Sequence, residues 1–251
     1  MLLVFAILLL TGSAIGLLWL QPRWLWMKIS PWLCPGAVFF VETDSPMVAL
    51  TIDDGPDDTE THRPTTTHQI LQVLSKYDAH ATFFLIGERI TPENQSLVTE
   101  ILKQGNEAGN HLWRDEPSIK LPLPTFESDL LKTQQKMVEV SKFSDRPMAV
   151  NWLRPGGGMA NREMIRVAQK YHYQVALGSI WPYDTIVPSS EFAAKQILSN
   201  VRPGAIIILH DRGPKGEWGK RTVKTLETVL PELQRKGFKV VTLSELLEQK
   251  L

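Results

Sequence analysis

A chain of 251 residues, 43% of them apolar, is long enough for one large α/β domain with a sizeable core. Lys+Arg 27 balance Asp+Glu 27, which excludes both a basic nucleic-acid surface and an acidic solvating tail. The one cysteine, Cys34, excludes an intrachain disulfide and reads as a partly buried thiol.

Leu2 to Leu20 is uncharged and dominated by Leu, Val, Ile, Ala and Phe. As a helix it would extend roughly 28 Å, about one hydrocarbon core. Three readings stay open: a membrane anchor, a signal peptide cut near Ser13-Ala14, and a buried helix. Trp19, Trp24 and Trp26, with Arg23 and Lys28, have the composition of an interfacial belt. Residues 1–20 are therefore expected to tether the chain to a membrane facing the cell envelope, or to be removed from a secreted product. The positive charges follow the span, which by itself argues for the opposite orientation. Residues 21–46, punctuated by Pro22, Pro31, Pro35 and Pro46, are expected as a linker or stalk.

From 47 to 251 strands and helices alternate. Strands are expected over Met47–Ile52, Ala81–Ile86, Asn106–Asn110, Asn151–Arg154, Gln174–Ser179, Ala205–Leu209 and Lys239–Leu243. Between them, helices are expected over His68–Tyr77, Gln95–Gln104, Thr125–Lys142 capped by Thr125, Asn161–Tyr171, Ser189–Val201 and Arg221–Lys236. Such alternation implies a parallel sheet with helices outside. About seven units in this length predict a distorted (β/α) barrel, preceded by the N-terminal hydrophobic helix.

Polar residues cluster where such barrels place chemistry. Asp53, Asp54, Arg154, Asp184 and His210 all fall just past expected strand ends. Two adjacent carboxylates before the Gly55-Pro56 turn are costly to ionise together unless a positive charge sits between them. A divalent cation supplies it, and a cation, a free carboxylate and a histidine form a kit for metal-assisted hydrolysis. His62, His68, His80 and His172 read as surface histidines; His62 alone lies in a loop able to fold back over the site.

Five segments, in order, carry a resemblance. Thr51-Ile52-Asp53-Asp54-Gly55-Pro56, Gly109-Asn110-His111-Leu112-Trp113-Arg114-Asp115 and Leu153-Arg154-Pro155-Gly156-Gly157-Gly158 are similar to the first three motifs of the polysaccharide deacetylase family, the NodB-like carbohydrate esterases. Ile180-Trp181-Pro182-Tyr183-Asp184 and Leu209-His210-Asp211 resemble the fourth and fifth. The resemblance implies Asp53 as general base, His210 as general acid and Asp54 as metal ligand. It implies that Arg154 orients Asp53 and is held in turn by Asp184, that Leu209 forms an apolar wall for the acetyl methyl, and that Pro155 and the Gly156–Gly158 run allow close approach. The family's second motif ends in a second histidine, where this chain has Asp115, and it has a hydroxyl residue where this chain has Leu112. On helical spacing His111 and Asp115 would face one cation, giving an Asp54–His111–Asp115 set that is harder and more anionic than the family's. Zinc is expected first, with cobalt, manganese or nickel as the other candidates. Thr185 stands where the family has tryptophan, and Trp181 is expected to fill that place. The implied activity is removal of acetyl groups from an N-acetylglucosamine polymer: peptidoglycan, a chitin-like chain or an exopolysaccharide. An O-acetyl esterase, or a degenerate homologue that binds glycan without turnover, are the alternatives.

Overall fold

The computed structural model describes residues 16, 20–22, 24–57, 64–143, 151–212 and 217–251. Most of the expected Leu2–Leu20 helix, and His62, therefore lie outside the described residues. Among the described residues no helix is long and apolar enough to cross a membrane.

Among the described residues eight parallel strands form one sheet. They are β1 (Ala37–Val38), β2 (Met47–Gly55), β3 (Ala81–Leu85), β4 (Glu107–Asn110), β5 (Trp152–Leu153), β6 (Gln174–Ala176), β7 (Ile206–His210) and β8 (Lys239–Val241). The spatial order is β1-β6-β5-β4-β3-β2-β7, with β8 also paired to β2. A parallel bridge between Ile180, just beyond β6, and Ile207 of β7 brings the two ends together. The result is the distorted barrel that the alternation predicts. The distortion has a visible source at β2, where Ala49 pairs with Ile206 of β7 and with Val241 of β8. β7 and β8 therefore lie on opposite edges, and β8 shares its edge with β3, which takes over at Leu50.

Val48, Ala49, Leu50 and Ile52 are buried and so are the polar Thr51, Asp53 and Asp54, as a central parallel strand covered on both faces requires. Helices pack outside: α1 (Ser30–Leu33), α2 (Thr66–Lys76), α3 (Gln95–Lys103), α4 (Leu123–Ser141), α5 (Arg162–Lys170), α6 (Ser190–Asn200), α7 (Glu217–Arg235) and α8 (Leu243–Leu247). Short polar side chains start them: Thr65 accepts from the backbone of His68, Asn161 from Met164 and Ser189 from Phe192.

Three expectations need correction. Within the stretch expected as a linker, residues 37–41 join the barrel: β1 pairs with β6, and Val41 donates to the carbonyl of Gly204 at 3.0 Å. The long helix α4 begins at Leu123, with Pro124 in its first turn and no side-chain cap, so Thr125 lies inside it. The last strand ends at Val241, because Thr242 and Glu245 form a reciprocal capping box that opens α8.

Candidate active site

The end of β2 carries the acidic pair, and its neighbours bring in the partners. Asp53 pairs in register with His210 at the end of β7. Leu85 pairs with Asn110, which places His111 one residue beyond β4, and Asn110 pairs with Leu153, which places Arg154 one residue beyond β5. Asp53, Asp54, His111, Arg154, Trp181 and His210 line one pocket of about 470 Å³. That volume lies within the range of small-molecule and sugar sites.

Arg154 and Asp53 form a buried ion pair at 2.6 Å, with Arg154 1% and Asp53 4% exposed. The guanidinium is fixed independently of Asp53. Nε donates to the carbonyl of Ala176 at 2.9 Å and Nη1 to the hydroxyl of Thr51 at 2.6 Å. Thr51 in turn donates to the carbonyl of Ile207 at 2.7 Å, tying the strand of Asp53 to that of His210.

His111 donates from Nδ1 to the carbonyl of Arg154 at 2.6 Å. A carbonyl only accepts, so the neutral ring carries its lone pair on Nε2. That atom faces Asp54 Oδ1 at 3.2 Å. Two acceptors so placed need a proton or a cation between them. Burial lowers the His111 pKa, but the Asp54 hydrogen bond and the charges of Asp53 and Asp54 outweigh it and raise the group. Burial raises Asp54, and the bond to His111, helped by His210 and Arg89, brings it below its ordinary value. Asp54 and His111 thus offer two ligands to a divalent cation, and the carbonyl that fixes the ring is the outer support such ligands use.

Asp115 is placed differently from the expectation. Residues 111–115 are not helical, because Leu112 takes φ 64° and redirects the chain. The Asp115 side chain is 54% exposed and pairs with Arg89 at 2.7 Å. Among the described residues no group of three His, Cys, Asp or Glu side chains could hold a metal ion. Asp184 also departs from its expected role: it holds His210, not Arg154. One oxygen accepts from the His210 backbone amide at 3.0 Å and the carboxylate faces His210 Nδ1 at 3.0 Å. Its own carbonyl accepts from Arg221 Nε and Nη2 at 3.2 and 3.1 Å.

Leu209 is buried in the main core, and Ile208 lines the pocket in its place. The reason is strand alternation, which puts 208 and 210 on one face and 209 on the other. Pro155 and Gly156 lie behind the rim: a Cβ on Gly156 would meet the Glu116 carbonyl at 2.2 Å, so this glycine admits the neighbouring backbone. Gly157 and Gly158 reach the pocket. Trp181 is 43% exposed at its mouth and stacks on Tyr183 at 5.8 Å. Gln21 grips its backbone on both sides, donating to the Trp181 carbonyl at 2.6 Å and accepting from its amide at 2.9 Å.

Burial pulls the His210 pKa down, but the Asp184 carboxylate outweighs it and pushes the group up to about 9. A histidine raised in the folded state keeps the full stabilisation of its pair below the ordinary value near 6.5 and loses it as pH rises through about 9. The proton available for donation is lost over the same rise. A cation at Asp54 would lower that limb. Asp184→Asn is expected to move the basic limb of kcat/KM to lower pH by about one unit or more, measured as a pH–rate profile. An unmoved limb would mean that another group titrates there.

Sequence reasoning missed the layer beneath. Asp211 is fully buried and accepts from Thr67 Oγ1, the Thr66 hydroxyl lies 2.6 Å from Asp211 Oδ1 and 3.0 Å from Asp57 Oδ2, and Asp57 Oδ2 also accepts from the Thr66 amide at 3.0 Å. Burial raises Asp211 to about 6. This knot pins the start of α2 against the end of β7. Gly219 of α7 closes it, since a Cβ there would meet the Asp211 carbonyl at 1.9 Å. Gly219→Ala is expected to cost about 1–3 kcal/mol, read as a fall in the thermal midpoint.

Residues 40–176 match the model of a family described as Polysaccharide deacetylase. A Peptidoglycan-N-acetylglucosamine deacetylase of Bacillus cereus is 36% identical over 213 residues, which cover 84% of this chain and 92% of that protein. Among solved structures, the Bc1960 peptidoglycan N-acetylglucosamine deacetylase in complex with a hydroxamate-type benzamide superimposes with a TM-score of 0.74 at 25% identity, over 92% of this chain and 99% of that one. A mutant of BA3943, described as a CE4 family pseudoenzyme with restored enzymatic activity, gives 0.73 at 25% identity over 86% and 72%.

Proposed function

The chain belongs to the polysaccharide deacetylase family, and from that premise we propose that it removes acetyl groups from N-acetylglucosamine units of peptidoglycan, in a reaction that depends on a divalent cation. The observation that carries this reading is the pairing of two separately supported groups across one pocket: Asp53 held by Arg154, and His210 held by Asp184.

Asp54 and His111 would hold the cation, which when bound polarises the acyl oxygen and lowers the pKa of water. Asp53 takes the proton of the attacking water as its oxygen bonds to the acyl carbon. Arg154 keeps that carboxylate aimed and, being fixed by Thr51 and Ala176, does not follow it when its charge changes. His210, held through Nδ1, presents Nε2 and gives its proton to the sugar nitrogen as the carbon–nitrogen bond breaks. Acetate and a free amine are the products. Trp181, exposed at the mouth, offers an apolar face to the sugar ring.

The test is acetate release by the full chain from peptidoglycan and from N-acetylglucosamine oligomers, before and after chelation. Release that stops with chelator and returns with zinc or cobalt supports the reading. Release from O-acetylated xylan alone would move it to an esterase. The exposed pairing of Asp115 with Arg89 favours one further reading, a homologue that binds glycan without turnover. Glycan binding with no acetate release under any added metal would establish it. Peptidoglycan lies outside the cell membrane, so the Leu2–Leu20 run is proposed as a tether that leaves the barrel on that side. Protease digestion of intact cells tests this: a barrel that stays protected would place it inside.

A further inference from the structure

Between the end of β2, which carries Asp54, and the segment after β4, which carries His111, lies a cationic side chain for which the reaction above has no use. Arg89 ends the short 3₁₀ turn Gly87–Arg89 beyond β3. Its Nη1 donates to the carbonyl of Asp54 at 2.6 Å, and its Nη2 donates to Asp115 Oδ2 at 2.7 Å. The side chain is 12% exposed, so the bond to Asp54 is largely shielded from water. The turn is stitched to the histidine-bearing segment as well: Gly87 donates to the Leu112 carbonyl at 2.9 Å and Glu88 to the Trp113 carbonyl at 3.0 Å. Asn94 holds the Arg89 carbonyl from the other side at 2.7 Å.

The target of the fork is informative. Asp54 has φ 66°, a left-handed conformation that is strained for a non-glycine residue and persists only where its surroundings enforce it. A donor on its carbonyl fixes the following peptide, and with it the direction in which the Asp54 carboxylate meets His111. Asp115 completes the arrangement in two ways. It anchors the second arm of the guanidinium, and it offsets a positive charge that would otherwise repel a cation at Asp54. Asp115 also lines the pocket, but among the described residues it forms no group of three with Asp54 and His111 that could hold a metal ion.

We propose that Arg89 and Asp115 act as a pair of positioning residues for the cation site, with Asp115 serving through Arg89 and not as a metal ligand. The proposal rests on the metal-dependent reading above. A lysine at 89 could not span both acceptors, because an ammonium lacks the planar fork.

Cobalt titration of the full chain, followed by visible absorption, tests it without reference to turnover. Asp115→Asn and Arg89→Gln are each expected to weaken cobalt binding about 10- to 100-fold, the usual cost of losing an outer support. The double variant should be no weaker than the worse single one, since the two act as a unit. The absorption band of the cobalt-saturated protein should keep its position and intensity in Asp115→Asn, and Arg89→Lys should not restore affinity. A band that changes in Asp115→Asn, or an Arg89→Gln protein that binds cobalt more tightly than the parent, would overturn the proposal while leaving the metal-dependent reading intact. A parent that takes up no cobalt would overturn both.

Discussion

Replacing Asp53 with asparagine is expected to lower kcat about 10²- to 10⁴-fold, the range that a positioned general base contributes. The substitution preserves shape and keeps an oxygen for Arg154 Nη1, which lies 2.6 Å from Oδ1 in the parent. What it removes is the capacity to take a proton. Because Asp54 and His111 face each other independently at 3.2 Å, cobalt uptake should remain within a few-fold of the parent. Turnover and metal content measured on one preparation check both halves. A variant that retains a tenth of the parental rate would show that Asp53 is not the base, and one that loses metal would show that it belongs to the cation site.

The second large effect falls on stability. Arg154→Ala should destabilise the fold by about 3–5 kcal/mol, because breaking a buried pair leaves an uncompensated charge. Arg154 is among the largest fully buried side chains, and Asp53 opposite it is only 4% exposed. The guanidinium also lies over the Phe84 ring at 4.3 Å, and its loss leaves Thr51 and the Ala176 carbonyl without their donor. Asp53→Ala combined with Arg154→Ala should cost clearly less than the sum of the two single changes, since the double variant no longer buries a lone carboxylate. Denaturant unfolding of the four proteins measures this; strict additivity would remove the ion pair from the account of stability.

The parts of the site that were legible in the sequence are those fixed by strand ends. A β-strand delivers its last residues to a predictable rim, so Asp53, Asp54, Arg154, Asp184 and His210 could be grouped before any geometry was known, while His111 was supplied by the family resemblance. Misplaced residues fall where local conformation breaks the assumed period. Helical spacing would have aimed Asp115 at the cation, but the left-handed Leu112 removes the helix. Leu209 could have been read correctly from alternation alone, because His210 and Ile208 must share a face. The Thr242–Glu245 capping box was equally visible as a sequence pattern. Arg89, Thr51, Thr66 and Thr67 carry no such signal. Each acts through a contact between segments distant in the chain, for example Thr66 to Asp211 and Arg89 to Asp115, and no periodicity reports those.

The division of one edge of β2 between β3 and β8 has a consequence for biogenesis. Met47 and Val48 find their partners in Lys239 and Val240, near the opposite end of the polypeptide. A ribosome releases β3, β4 and β5 long before it releases β8, and long-range pairings of this kind form late. The strand that bears Asp53 and Asp54 must therefore wait, with the Met47–Ala49 part of one edge open, until translation is almost finished. Nascent chains stalled before residue 239 should accordingly expose that edge to chaperones, and truncation there would remove catalysis by leaving the acidic strand unclamped, although every residue that lines the pocket had already been made.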